Sequence, residues 1–171
     1  RRRAVDGRRG ARLRHHRRKL SPQEQNTAAI KIAYRLCQST FFKHAQKIAL
    51  YLPFDGEVAT HLILHKALRA HKTCYIPIVA NSTLNFVKLD LQTPLKPNRF
   101  GILEPHYPFM KPIPPRALDL VIVPLVSFDA QCHRLGMGKG FYDKTFAFKK
   151  RSALKPKMIG LAYDFQKVTR V

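Results

Sequence analysis

Residues 118–150 read LDLVIVPLVSFDAQCHRLGMGKGFYDKTFAFKK, and the order of textures in that stretch decides the fold. The run over 118–128 is the most apolar of the chain, interrupted by Asp119 and Pro124, and reads as a buried, central strand. It ends in a loop where Gly136, Gly138 and Gly140 alternate with Met137 and Lys139, and the loop leads into KTFAFKK, which can be helical. The glycines let the backbone turn tightly and bring its N–H groups close to an anion, and a following helix N-terminus adds favourable partial charge. A tight strand-to-helix turn alone would also explain them. Arg134, Lys139 and Asp143 bracket the turn, which favours phosphate, and Asp143 stands where a Mg²⁺ shared with a nucleotide could be held. The loop is not a Walker A motif, because Lys139 precedes Gly140 rather than Ser or Thr. Nor is it the dinucleotide fingerprint, since its third glycine comes one residue early.

Upstream, Ser21, Pro22 and Glu24 spell a helix start: a capping serine, a proline suited to the first position and a glutamate to close the box. Ala29, Ile32, Ala33 and Leu36 follow at helical spacing. Residues 47–52 (KIALYL) predict a strand, Thr60 opens a second helix carrying Leu62, Ile63, Ala67 and Leu68, and residues 73–79 and 83–89 predict a hairpin across a short ANS link. Residues 94–115 hold seven of the twelve prolines and predict a long connection with no element of its own. Residues 157–163 are the last strand. Strands alternating with helices predict a single-domain α/β fold, an open and mostly parallel sheet with helices on both faces, Rossmann-like in three layers. Ligands of such sheets sit beyond the carboxyl ends of the strands, where the glycine loop lies.

At 171 residues and 45% hydrophobic content the chain suits one domain with a real core. Three cysteines without C-x-x-C spacing argue against a disulfide framework or a zinc site. No apolar run approaches the roughly 20 residues of a membrane span, and no apolar segment follows the basic N-terminus as in a secretory signal. A soluble, cytoplasmic monomer is expected. The net charge of +22 suggests a polyanionic partner and is unevenly placed, since residues 1–20 carry ten Arg or Lys against one Asp. Residues 1–13 read as a basic extension without regular structure, ahead of a domain at 14–171.

The segments PLVSFDAQCHRLGMGKGFYDKT, NRFGILEP, LYLPFDGEVAT and IGLAYDFQKV together resemble the 5-formyltetrahydrofolate cyclo-ligase family, also called 5,10-methenyltetrahydrofolate synthetase. The resemblance implies an α/β enzyme that uses ATP and Mg²⁺ to convert 5-formyltetrahydrofolate to 5,10-methenyltetrahydrofolate. It implies that Arg134, Leu135, Gly136, Met137 and Gly138, with Lys139, Gly140, Phe141 and Tyr142, wrap the ATP phosphates, and that Asp143 ligates Mg²⁺. Glu57 and Leu52 match folate contacts, and Met137 and Phe141 match positions that touch both substrates. Two basic residues four apart near the N-terminus, matched to Arg14 and Arg18, would meet the phosphates, with Arg17 or Arg9 as alternatives in another register. A second metal-associated Asp is implied beyond Val171. In this reading the formyl oxygen attacks the γ-phosphate, with Arg134, Lys139 and Glu57 as the catalytic set.

Other readings of the same residues predict different behaviour. An acyl- or CoA-transferase would need a nucleophilic glutamate, Glu57 or Glu104. A nucleic-acid module would use the charge, but the aromatics do not interleave with the basic residues and no nucleic-acid motif is present. His61 and His65 have metal-pair spacing without a third ligand and are expected at the surface. Cys132 and His133 lack a third catalytic group, and Phe146 is expected in the core.

Overall fold

The computed structural model describes residues 2–89, 92–97, 101, 103–105, 111–151 and 155–171. Helix α1 (Arg2–Lys19) is followed by α2 (Pro22–Gln38), α3 (Thr40–His44), strand β1 (Lys47–Ala49), helix α4 (His61–Arg69) and the hairpin of β2 (Thr73–Ala80) and β3 (Thr83–Leu89). A second, smaller hairpin, β4 (Leu95–Pro97) and β5 (Leu103–Pro105), precedes β6 (Leu120–Val123). Strands β7 (Ser127–Phe128) and β8 (Arg134–Leu135), helix α5 (Phe141–Thr145) and strand β9 (Lys157–Gly160) complete the described elements.

Five strands form one sheet in the order β3-β2-β1-β6-β9. Strand β1 pairs parallel with β2 and with β6, β6 pairs parallel with β9, and only β3 runs antiparallel. Side-chain alternation then makes two cores. Ile48, Ile76, Ile78, Leu120 and Ile122 face α2 through Ala33 and Leu36, α3 through Phe42 and α4 through Ile63. Ala49, Tyr75, Phe86, Val121 and Val123 face the other way, where Phe146 lies buried as the sequence predicts. Each such aliphatic side chain contributes about 1.5–3 kcal/mol by leaving water. The three-layer α/β expectation therefore holds. Asp119 fixes the starts of the parallel strands: its carboxylate accepts the N–H groups of Gln46 and Lys47 and pairs with Lys155.

Local signals account for most boundaries. Ser21 Oγ accepts the Glu24 N–H at 3.2 Å and the Glu24 carboxylate accepts the Ser21 N–H at 2.7 Å, so the capping box forms. Thr60 precedes α4 but leaves its cap open, because its Oγ1 donates to the Tyr51 carbonyl at 2.7 Å. His61 and His65 are exposed as expected.

Four expectations need correction. Residues 2–13 are the first turns of α1, docked where Gly10, lacking a side chain, lets the helix approach Leu135 and Val126. Residues 94–115 are not a bare connection: Leu95, Lys96 and Pro97 pair with Pro105, Glu104 and Leu103, and Ile113 bridges to Phe86 on the outer edge of β3. Three-residue strands carrying prolines fall below any periodicity a sequence can display. The apolar run over 118–128 is two strands, not one. Proline cannot donate to a ladder, so β6 stops before Pro124, and Ser127 and Phe128 pair with Leu135 and Arg134 in a separate ribbon. The middle of the sheet is β1, with β6 beside it. The NRF of NRFGILEP lies outside the described residues. Among the described residues, no helix is long and apolar enough to cross a membrane.

Candidate active site

Beyond the carboxyl ends of β1, β2 and β6 lies a cavity of about 520 Å³ with a mostly apolar lining. Its size is ordinary for a ligand site, and its place is the one that parallel topology favours. Tyr51, Leu52 and Glu57 come from the segment after β1, Pro77 and Val79 from β2, Glu104 from β5, Pro124 and Leu125 from the end of β6, and residues 134–143 close the remaining wall.

The glycine loop is held at both ends. The Val126 N–H donates to the Leu135 carbonyl at 2.7 Å, and the buried Asp129 carboxylate accepts the N–H groups of Gln131 and His133 and lies 3.1 Å from His133 Nδ1. Gly138 and Gly140 have φ of 90° and 67°, in the region that side chains avoid. At the far end Thr145 Oγ1 accepts the Leu84 N–H at 2.8 Å and donates to the Phe141 carbonyl, tying α5 to β3. With only five residues, α5 adds little of the axial dipole expected from a longer helix. The donors this wall could offer to an anion are therefore loop backbone N–H groups with Arg134 and Lys139.

Arg134 Nη2 donates to Asp143 Oδ1 at 2.6 Å and its guanidinium lies over the Tyr142 ring. Asp143 is otherwise exposed at the cavity rim. Among the described residues no three acidic, His or Cys groups converge as a metal cage. A single exposed carboxylate does fit a Mg²⁺ that arrives with a nucleotide, because that ion takes one or two protein ligands and fills the rest with phosphate and water.

Glu57 follows a turn in which Asp55 and Gly56 both have positive φ, and the Glu57 N–H donates to the Phe54 carbonyl at 3.1 Å. Asp-Gly suits this doubly left-handed turn. The Glu57 carboxylate accepts the Phe54 N–H at 3.1 Å, yet burial pushes its pKa up to about 7 against the opposing pull of that hydrogen bond and of Arg17. Burial also raises the phenols of Tyr51 and Tyr142, both of which feel Glu57. The carboxylate is thus partly withdrawn from water, and its proton is held more tightly than that of a solvated loop glutamate.

The structure thus brings Leu52, Glu57 and residues 134–143 to one cavity. It does not bring Arg14 or Arg18 to the cavity. Arg18 instead donates to Asp55 Oδ1 at 2.8 Å from an exposed position. Glu104 does line the cavity, with Oε1 accepting the Val79 N–H at 3.1 Å. Sequence reasoning gave no cavity position to Pro77, Val79 or Leu84, whose strand ends carry only an apolar signal. Cys132 and His133 are both exposed, and the group paired with His133 is Asp129, which is spent on closing the turn.

Comparison with known proteins bears on this site. Residues 2–171 match the model of the 5-formyltetrahydrofolate cyclo-ligase family. A 5-formyltetrahydrofolate cyclo-ligase of Haemophilus influenzae is 35% identical over 159 residues, covering 91% of this chain and 84% of that protein. That of Escherichia coli is 34% identical, covering 93% of this chain and 88% of its own. The solved structure of Aquifex aeolicus 5,10-methenyltetrahydrofolate synthetase superposes with a TM-score of 0.82 at 29% identity, covering 98% of this chain and 82% of that one.

Proposed function

The chain belongs to the 5-formyltetrahydrofolate cyclo-ligase family, an ATP-dependent ligase family, and from that premise we propose how its cavity closes the folate ring. The enzyme converts 5-formyltetrahydrofolate and ATP to 5,10-methenyltetrahydrofolate, ADP and phosphate. The formyl group on N5 is an amide, and its oxygen is a poor leaving group. In the proposed sequence that oxygen attacks the γ-phosphorus, ADP departs, and the oxygen becomes a phosphate ester on an iminium carbon. N10 then adds to that carbon, loses its proton, and the C–O bond breaks to release phosphate.

The observation that carries the assignment is the convergence of Glu57 and the glycine loop on one cavity. Residues 134–142 wrap the triphosphate, with loop N–H groups and the Arg134 and Lys139 cations facing the charge that spreads over the transferring phosphoryl group. Positioning and charge stabilisation dominate such transfers, consistent with a wall that has glycines and cations but no nucleophile. Leu52, Met137 and Phe141 bound the apolar side for the pterin. Glu57, with a pKa of about 7, suits acceptance of the N10 proton, because a base tuned near the working pH combines the right protonation state with driving force. Asp143 is the residue that would hold Mg²⁺, and the ion would neutralise phosphate charge there. Arg14 and Arg18 have no part in this arrangement. Mixing the chain with 5-formyltetrahydrofolate, Mg²⁺ and ATP should yield methenyl chromophore and ADP in equal amounts. ADP without chromophore would contradict the coupling.

A further inference from the structure

One buried charge has no part in the chemistry so far. Arg17 is 1% exposed, the largest fully buried side chain among the described residues, and it sits on α1 outside the cavity lining. Its guanidinium reaches two segments far apart in sequence. Nε donates to the Asp55 carbonyl at 2.8 Å and Nη2 to Asp55 Oδ2 at 3.2 Å, while Nη1 donates to the Leu125 carbonyl at 3.2 Å. Gly56 packs so tightly on this helix that an added Cβ would lie 2.9 Å from the Arg17 carbonyl oxygen. Leu125 lines the cavity, and its carbonyl also accepts from Gln166 Nε2 at 3.0 Å.

We infer that Arg17 is a positioning residue for ring closure: it clamps the turn at Asp55 and Gly56 to the end of β6, so that Glu57 faces the folate at a fixed distance from the opposite wall. The inference rests on the reading of Glu57 given above. A rigid planar fork with donors in three directions can hold a carbonyl, a carboxylate and a second carbonyl at once, which a lysine ammonium on a flexible stem cannot. Arg18 meets the same Asp55 from solvent, 51% exposed, and so contributes charge but little geometry.

Among the described residues, the charges that act on Glu57 are those of Arg17 from α1 and Asp55 from its own segment; the phenols of Tyr51 and of Tyr142 on α5 feel Glu57 in turn, and Glu104 from β5 and Arg134, Lys139 and Asp143 from the loop and α5 share its cavity. Burial is the largest influence on Glu57, ahead of the Arg17 charge. The two roles of Arg17 therefore have opposite signatures. Losing its charge alone would raise the Glu57 pKa, whereas losing the clamp lets water reach Glu57 and lowers it.

The test is Arg17→Lys, which keeps the charge and removes the fork. Expected are a rise of about ten-fold or more in KM for 5-formyltetrahydrofolate, a change below about three-fold in KM for ATP, and a Glu57 carboxyl that titrates well below its original pH by carbon NMR. Asp55→Asn, which tolerates the left-handed turn, should move the same quantities in the same directions and serves if Arg17→Lys does not fold. Arg18→Ala should leave them unmoved. A lowered melting temperature with an unchanged KM ratio and an unchanged Glu57 titration would overturn the inference, as would full rescue of all three by lysine. Failure of the wild type to form methenyl product would sink the functional reading instead, and the Glu57 titration would still decide the placement by Arg17.

Discussion

Replacing Glu57 by glutamine separates the catalytic cost of this carboxylate from its cost to folding. In the folded chain its proton leaves near pH 7 rather than 4.5, because burial penalises the charge. Each pH unit of that difference is worth about 1.4 kcal/mol, so the ionised form costs the fold about 3 kcal/mol, and about 2 kcal/mol once partial exposure is discounted. The sign follows from linkage. The folded state holds the proton more tightly than the unfolded one, so the stability is fully present below pH 4.5 and is lost as pH rises through about 7. Glutamine cannot ionise and escapes the loss. At pH 8 Glu57→Gln should therefore melt higher by about 4–8 °C, with the gap closing toward pH 4.5. Its turnover should fall roughly 100-fold or more, the scale of losing a positioned base, and the rise of kcat/KM through about pH 7 should vanish. Thermal unfolding from pH 4.5 to 8.5 and initial rates of methenyl formation over the pH range of activity measure both effects. A stability difference that does not vary with pH would refute the desolvation of Glu57, and undiminished turnover would refute its part in the reaction.

Asp143→Asn should lower kcat roughly 100-fold and raise the Mg²⁺ needed for half-maximal rate, with the melting temperature unchanged, as Mg²⁺ titration of the rate and a melting curve would show. Thr145→Val leaves the buried Leu84 N–H without its acceptor, so chemical denaturation should register a loss of about 1–3 kcal/mol. Cys132 holds φ of 64° in an exposed turn, and Cys132→Gly should stabilise the chain by up to about 1 kcal/mol without changing rates, measured by urea unfolding and steady-state kinetics.

The sheet was legible because its strands alternate cleanly between two cores: Ile48 and Ala49, or Ile122 and Val123, sit on opposite faces as adjacent apolar residues must. The glycine loop was legible because its composition has few uses between a strand and a helix. Glu57 was nominated only through family resemblance, since nothing local distinguishes a desolvated glutamate from a solvated one; its proton affinity depends on walls contributed by distant segments. Arg14 and Arg18 illustrate the converse. Their spacing of four is real, but the face of α1 that meets the domain is fixed by Gly10 and Arg17, and a basic helix with nearly uniform polarity does not display that face. The β4 and β5 hairpin, which delivers Glu104 to the cavity, is too short for any repeat to appear.

Whether ATP is consumed by phosphorylating the formyl oxygen can be read from the fate of that oxygen. Substrate carrying ¹⁸O in the formyl group is converted in a single turnover with unlabelled ATP and water, and the released inorganic phosphate is examined by mass spectrometry. Phosphorylation of the formyl oxygen places one ¹⁸O atom in that phosphate for each methenyl group formed. Label in water, with unlabelled phosphate, would contradict it.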